Sequence, residues 1–182
     1  MASYHLTEDA SERLINLIKD RFPWLILGLL GGILATLLVS RFENILSKNI
    51  SISFFLPVIV YMSDAIGTQT ETIYVRNLAK FKDNFFKYLF KEMLVGLSFG
   101  LLFGILIAFF AQIWLGSTQV ALTVGLAMFI NAAIAPIVAL LVPEILFKER
   151  IDPALGGGPF TTVIQDIISL LIYLTVAVLI IL

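Results

Sequence analysis

Residues 152–166, DPALGGGPFTTVIQD, decide how the rest of this chain is interpreted. The stretch starts as a charged, turn-prone loop, passes through three glycines and a proline, and enters an apolar helix that begins near Pro159. A single carboxylate, Asp166, lies eight residues into that helix. Because a carboxylate inside lipid is energetically costly, Asp166 is expected to be paired with another group, hydrated, or engaged with a cation.

The composition is that of a membrane protein. Of the 182 residues, 59% are apolar and only 14% are charged. Five apolar runs are long enough to cross a bilayer, which takes roughly 20 residues each. We therefore predict an all-α integral membrane protein with five transmembrane helices. The predicted spans are about Phe22–Val39, Ile52–Ala79, Glu92–Trp114, Val120–Leu146 and Pro159–Leu182.

The polar segment before the first span predicts a short amphipathic helix over residues 7–20. Leu14, Leu17 and Ile18 fall on one face of it, as in a helix lying at the lipid headgroups. A plug or gate helix beneath a pore is the alternative. We divide the chain into a cytoplasmic N-terminal segment, residues 1–21, and a transmembrane domain, residues 22–182.

The distribution of basic residues predicts the orientation of the spans. With the N-terminus inside, ten Lys and Arg residues fall on the inner side and only two, Arg41 and Lys48, on the outer side. Cytoplasmic loops carry the excess of basic residues in membrane proteins. The N-terminus is therefore expected in the cytoplasm and the C-terminus outside, in the plasma (inner) membrane.

Two spans carry polar stripes, which are typical of helices that line a cavity. In the second span Asp64, Thr68 and Glu71 share one helical face, and Pro57 and Gly67 would allow a kink or a locally unwound turn. In the fifth span the stripe is formed by Thr162, Asp166 and Ser169, with Gln165 beside it.

Asn131 lies near the middle of the fourth span. One interpretation is an interhelical hydrogen bond, and the other is a direct role in holding a cation. At about 1.5 Å per residue, Asp64 would lie some 18 Å and Asp166 about 12 Å from the inner ends of their spans. Asn131 overlaps both in depth, so the three side chains are candidates for one intramembrane site.

Oxygen ligands of this kind suit magnesium, which keeps several waters and needs one or two carboxylates. The absence of cysteine and the single histidine, His5, disfavour zinc. The same carboxylates would also serve a proton relay or a structural network of a membrane scaffold. The net charge of −1 gives no sign of a nucleic-acid partner, and no motif indicates an enzyme or an organic cofactor.

Two stretches together resemble the membrane domain of the MgtE family of magnesium transporters. They are PVIVYMSDAIGTQTETIYVRNLA (57–79) and VPEILFKERIDPALGGGPFTTVIQDIISLLIY (142–173). The resemblance implies a homodimer with a pore on the two-fold axis, lined by the second and fifth spans. It also implies that Asp166 is the central magnesium ligand. The expected ligand set is Asp166, Asp64, Asn131, Thr162, Gln165, Gly67 and Glu71.

The chain departs from the family pattern at Ser63-Asp64-Ala65, where Gly-Gly-Asn is usual. Only about 20 residues precede the first span, so the resemblance covers the membrane domain without the cytoplasmic N and CBS domains. Three functions are expected in order: divalent cation transport, most favourably of magnesium; a proton- or sodium-coupled carrier using Asp64 or Glu71; and a non-transporting scaffold or sensor subunit.

Overall fold

The computed structural model describes residues 13–78 and 85–182, and these form six helices. Five of the helices are long and apolar enough to cross a membrane, and the described ranges contain no strand. The all-α architecture with five spans is therefore confirmed. The helices are α1 (Leu14–Ser40), α2 (Glu43–Lys48), α3 (Ser51–Asn77), α4 (Phe85–Leu115), α5 (Thr118–Lys148) and α6 (Pro153–Ile181).

The helix that carries Asp166 starts earlier than the sequence indicated. α6 begins at Pro153, six residues before Pro159. Asp152 caps it, because its Oδ1 accepts a hydrogen bond of 2.9 Å from the backbone N–H of Ala154. A proline suits this first turn, where no intrahelical N–H donor is needed.

The three glycines therefore lie inside α6 rather than in a loop, and packing explains two of them. A Cβ at Gly156 would lie 2.5 Å from the ring of Trp24, on α1. A Cβ at Gly157 would lie 2.5 Å from the carboxylate of Glu71, on α3. The glycines let both neighbours approach the backbone at the start of α6.

Other boundaries also differ from expectation. α1 continues without a break from Leu14 through the position where the first span was expected to start. Residues 1–12 lie outside the described ranges, so the amphipathic segment stays a prediction. The connection between the first two spans contains the short helix α2, and α3 remains helical through Pro57 and Gly67 rather than unwinding.

α5 forms the centre of the bundle and packs most closely on α4. Gly96, Gly100 and Gly104 repeat every four residues along α4 and face the backbone of α5. A Cβ at Gly100 would lie only 2.7 Å from the carbonyl oxygen of Phe129. The small residues thus allow close backbone contact, as the sequence spacing indicates.

α3 and α6 pack on the other side of α5 and on each other, and α1 packs chiefly on α6. α1 leaves most of its apolar side chains uncovered, with Leu25 and Leu29 each 61% exposed. Large exposed apolar surface of this kind suits contact with lipid. The polar stripes of α3 and α6 are consequently held side by side by the packing of the bundle.

Candidate functional site

The facing polar residues of α3 and α6 form the candidate site. The hydroxyl of Thr162 donates a hydrogen bond of 3.0 Å to Oδ1 of Asp64. Both side chains are half-buried, so the pair lies at the surface of the protomer rather than in its core. The structure thus brings together two of the residues that the sequence placed on separate stripes.

Asp166 lies one turn beyond Thr162 on the same helix and is also half-buried. Because Thr162 bonds to Asp64, Asp166 is on the side of α6 that faces the Asp64 carboxylate. Asp64 lies thirteen positions before the last residue of α3, Asn77, and Asp166 lies thirteen positions after the first residue of α6. The two carboxylates are therefore at matching depth, about 20 Å along each helix.

Gln165 faces away from these carboxylates into the core. It is 2% exposed, and its Nε2 donates a hydrogen bond of 3.0 Å to the backbone oxygen of Ala135 on α5. Its amide lies directly against Gly67 of α3, where any Cβ would overlap it. Gly67 and Gln165 therefore set the distance between α3 and α6 beside the half-buried carboxylates.

Asn131 is also a core residue. It is 1% exposed, and its Nδ2 donates a hydrogen bond of 3.4 Å to the backbone oxygen of Ser169 on α6. This geometry is an interhelical hydrogen bond, which is one of the two interpretations that the sequence offered for Asn131. Asn131 does not share the half-buried surface of Asp64 and Asp166.

Glu71 lies two turns from Asp64 on α3 and is 7% exposed. Thr161 lies beside its carboxylate, and Gly157 leaves room for it. A cavity of about 360 Å³ opens next to it, between the last turns of α3 and the first turns of α6. Its lining includes Thr68, Glu71, Thr72, Arg76, Pro153 and Gly158. Glu71 thus lies at one end of the polar surface that Asp64 and Asp166 continue.

The described residues contain no group of three or more Asp, Glu, His or Cys side chains close enough to hold a metal ion. The seven residues assigned to one site from the sequence do not all lie together. Asp64, Thr162 and Asp166 share the half-buried surface, whereas Asn131, Gln165 and Gly67 lie in the core and Glu71 is buried at one end of that surface.

Sequence reasoning missed a polar network at the end of α3. Tyr74 donates a hydrogen bond of 2.6 Å to Glu144 on α5, and Thr70 donates one of 3.0 Å to Glu92 on α4. Thr70 and Tyr74 are four residues apart, so they share a face that differs from the face of Asp64. The network could have been identified from that spacing together with the acidic residue near the end of each neighbouring span.

The sequence is similar to a known protein family over more than half of the chain. Residues 56–176 match the MgtE family model, described as "Divalent cation transporter". That range includes Asp64, Thr162 and Asp166. It also includes most of α3, all of α4 and α5, and most of α6.

Curated relatives cover most of the chain. The magnesium transporter MgtE of Bacillus subtilis is 33% identical over 160 residues, which is 86% of this chain and 36% of that protein. The magnesium transporter MgtE of Enterococcus faecalis is 31% identical over 174 residues, 93% of this chain and 38% of its own length. The Thermus thermophilus magnesium transporter MgtE is 30% identical over 161 residues, 86% and 35% respectively. The chain thus spans little more than a third of the length of these relatives.

Proposed function

Because this chain belongs to the MgtE family, we propose that it transports divalent cations, with magnesium as the favoured ion, across the plasma membrane. The five membrane-spanning helices make it a multi-pass membrane protein. The observation that carries the proposal is the hydrogen bond between Thr162 and Asp64 beside the carboxylate of Asp166. It supports a hydrophilic surface deep within an otherwise apolar bundle.

A second copy of the chain would complete the site. Half-buried carboxylates at this depth need a cover other than lipid, because lipid would leave their charge uncompensated. Two protomers related by a two-fold axis between α3 and α6 would bring two copies each of Asp64 and Asp166 together. The homodimer and the pore lined by α3 and α6 are therefore part of the proposal.

Each residue of this surface would have a separate role in cation binding. Asp166 and Asp64 supply negative charge, and the Thr162 hydroxyl fixes the orientation of Asp64. A magnesium ion that keeps several of its waters needs only such a small number of carboxylates. Glu71 and the adjoining cavity would form the entrance at the end that the basic residues assign to the cytoplasm.

Flux into liposomes tests this proposal. Purified protein should admit magnesium to a fluorescent indicator, and Asp166→Asn should abolish the uptake because half of the central carboxylate charge is removed from each protomer's surface. Asp20→Asn is the matched control, since Asp20 is exposed near the start of α1. Uptake that persists in Asp166→Asn at the rate of the control would remove Asp166 from the mechanism.

One observation favours a coupled carrier as a second candidate. Glu71 is a buried acid at the end of the same polar surface, where it would carry a coupling charge. A carrier of this kind would respond to a proton or sodium gradient at fixed membrane potential, and Glu71→Gln would remove the response. Uptake that does not depend on either gradient would contradict the coupled carrier and support uncoupled transport.

A further inference from the structure

Three of the buried side-chain oxygen atoms that have no hydrogen-bond partner within the described ranges belong to residues on facing turns of α5 and α6. They are Asn131 Oδ1, Gln165 Oε1 and Ser169 Oγ. The three residues are between 1% and 2% exposed. Buried polar atoms in folded proteins nearly always have a partner, so such a group of atoms in one region calls for an explanation.

The two amide oxygens cannot gain a partner by turning the amide over. Nδ2 of Asn131 donates to the backbone oxygen of Ser169, and Nε2 of Gln165 donates to that of Ala135. A flipped amide would place its own oxygen against a carbonyl oxygen. Each amide is therefore held with its oxygen directed away from the bonded carbonyl, as a free acceptor.

The three residues lie on facing turns of α5 and α6, which we call one layer of the bundle. Asn131 and Ala135 are one turn apart on α5, and Gln165 and Ser169 are one turn apart on α6. The two hydrogen bonds join these turns face to face. On the side of α3 the layer is bounded by Gly67, whose lack of a side chain leaves the space that the Gln165 amide occupies.

The electrostatic surroundings of the layer favour positive charge. Asp166 follows Gln165 in the sequence, and Asp64 precedes Gly67 by three positions, so each carboxylate is within one helical turn of a residue that bounds the layer. The basic residues of α3, α5 and α6 lie only at helix ends, at Arg76 and Lys148. The negative potential is thus not balanced within the layer, and a low dielectric strengthens it.

We propose that Asn131, Gln165 and Ser169 bind a dehydrated monovalent metal cation, of which sodium is the best fit. Neutral carbonyl-type oxygens replace the hydration shell of alkali ions in proteins. A divalent ion would need carboxylate ligands, which lie instead on the half-buried surface. This site is separate from the proposed magnesium site, and its binding can be measured without any transport.

A binding assay with radioactive sodium tests the proposal. The purified protein is kept in buffer that contains a chelator and no magnesium. Binding should be saturable, should be displaced by unlabelled sodium and should resist choline at equal ionic strength. Thermal unfolding should shift upwards with sodium over the same concentration range. Equal stability in sodium and choline, with no saturable binding, would show that the layer holds only water and would overturn the proposal.

Ser169→Ala is the most informative variant, because the Oγ of Ser169 makes no hydrogen bond within the described ranges and its loss should leave the fold intact. We expect it to weaken sodium binding by at least about tenfold, as loss of one ligand should. Ser98→Ala is the matched control, since Ser98 is exposed and bonds to its own helix. Asn131→Leu should abolish binding. Sodium binding that is unchanged in folded Ser169→Ala would refute the assigned ligands.

Discussion

Asp64 of α3 and Thr162 of α6 are 98 positions apart in the sequence and share a hydrogen bond of 3.0 Å. The bond connects the two polar stripes directly and does so beside Asp166. It also fixes one oxygen of the Asp64 carboxylate. The relative placement of α3 and α6 is therefore coupled to the orientation of a charged group.

Replacing Thr162 by valine should weaken magnesium transport without changing the shape of the side chain. A hydrogen bond to a charged group contributes roughly 1.5 kcal/mol or more, so about a tenfold loss of uptake at limiting magnesium is expected. Liposome flux measures the effect. Thr175→Val, at an exposed position of α6, should transport normally. Equal rates for the two variants would contradict the role given to Thr162.

Replacing Gly67 by alanine should disturb the core between α3 and α6. The new Cβ would overlap the Gln165 amide, which must then leave its hydrogen bond to Ala135. Loss of a buried bond of this kind costs about 1–3 kcal/mol, which should lower the unfolding temperature in detergent. Gly32→Ala is the control, because nothing lies within 4 Å of its Cβ position. The idea fails if both alanine variants unfold at the same temperature.

Replacing Gly100 by alanine should separate α4 from α5. The added methyl group would meet the carbonyl oxygen of Phe129 at 2.7 Å, and overpacking of this kind costs about 1–3 kcal/mol. Gly28→Ala, which meets nothing within 4 Å, should be neutral or slightly stabilising. Thermal unfolding distinguishes them, and a stable Gly100→Ala protein would mean that the two backbones are not in close contact.

Replacing Tyr74 by phenylalanine should destabilise the end of the bundle where α3 ends. It removes the hydroxyl that donates to Glu144 at 2.6 Å, at a cost of roughly 1.5–3 kcal/mol for a bond to a carboxylate. Denaturant titration in micelles measures the loss. Tyr61→Phe, at a side chain that is 69% exposed, should have little effect. A loss of equal size in both proteins would rule out a specific contribution from the Tyr74 bond.

The number of spans and the polar stripes could be predicted from the sequence because both depend on local periodicity. Apolar runs of sufficient length identify helices that cross a bilayer. The spacing of Asp64 and Glu71, and of Thr162 and Asp166, places each pair on one helical face. The spacing of Gly96, Gly100 and Gly104 places them on one face of α4, but the helix they contact, α5, is known only from the structure.

The start of α6 and the position of Asn131 could not be predicted, because both depend on tertiary contacts. Three consecutive glycines indicate a loop in the sequence, yet Gly156 and Gly157 are helical and leave room for Trp24 and Glu71. The depth of Asn131 was consistent with the carboxylates. Depth does not tell which side of α5 carries the Asn131 side chain. The structure shows that this side chain faces α6, where it bonds to Ser169.

The two-residue connection between α4 and α5, at Gly116 and Ser117, has a mechanical consequence. The short connection and the close contact of the α4 glycines with the α5 backbone leave these helices little freedom to slide. The two helices therefore behave as one rigid body. Any rearrangement that widens the space beside Asp64 must therefore come from movement of α3 or α6 relative to this pair, and α1, which packs chiefly on α6, would move with α6. The α4–α5 pair would keep its position during that movement.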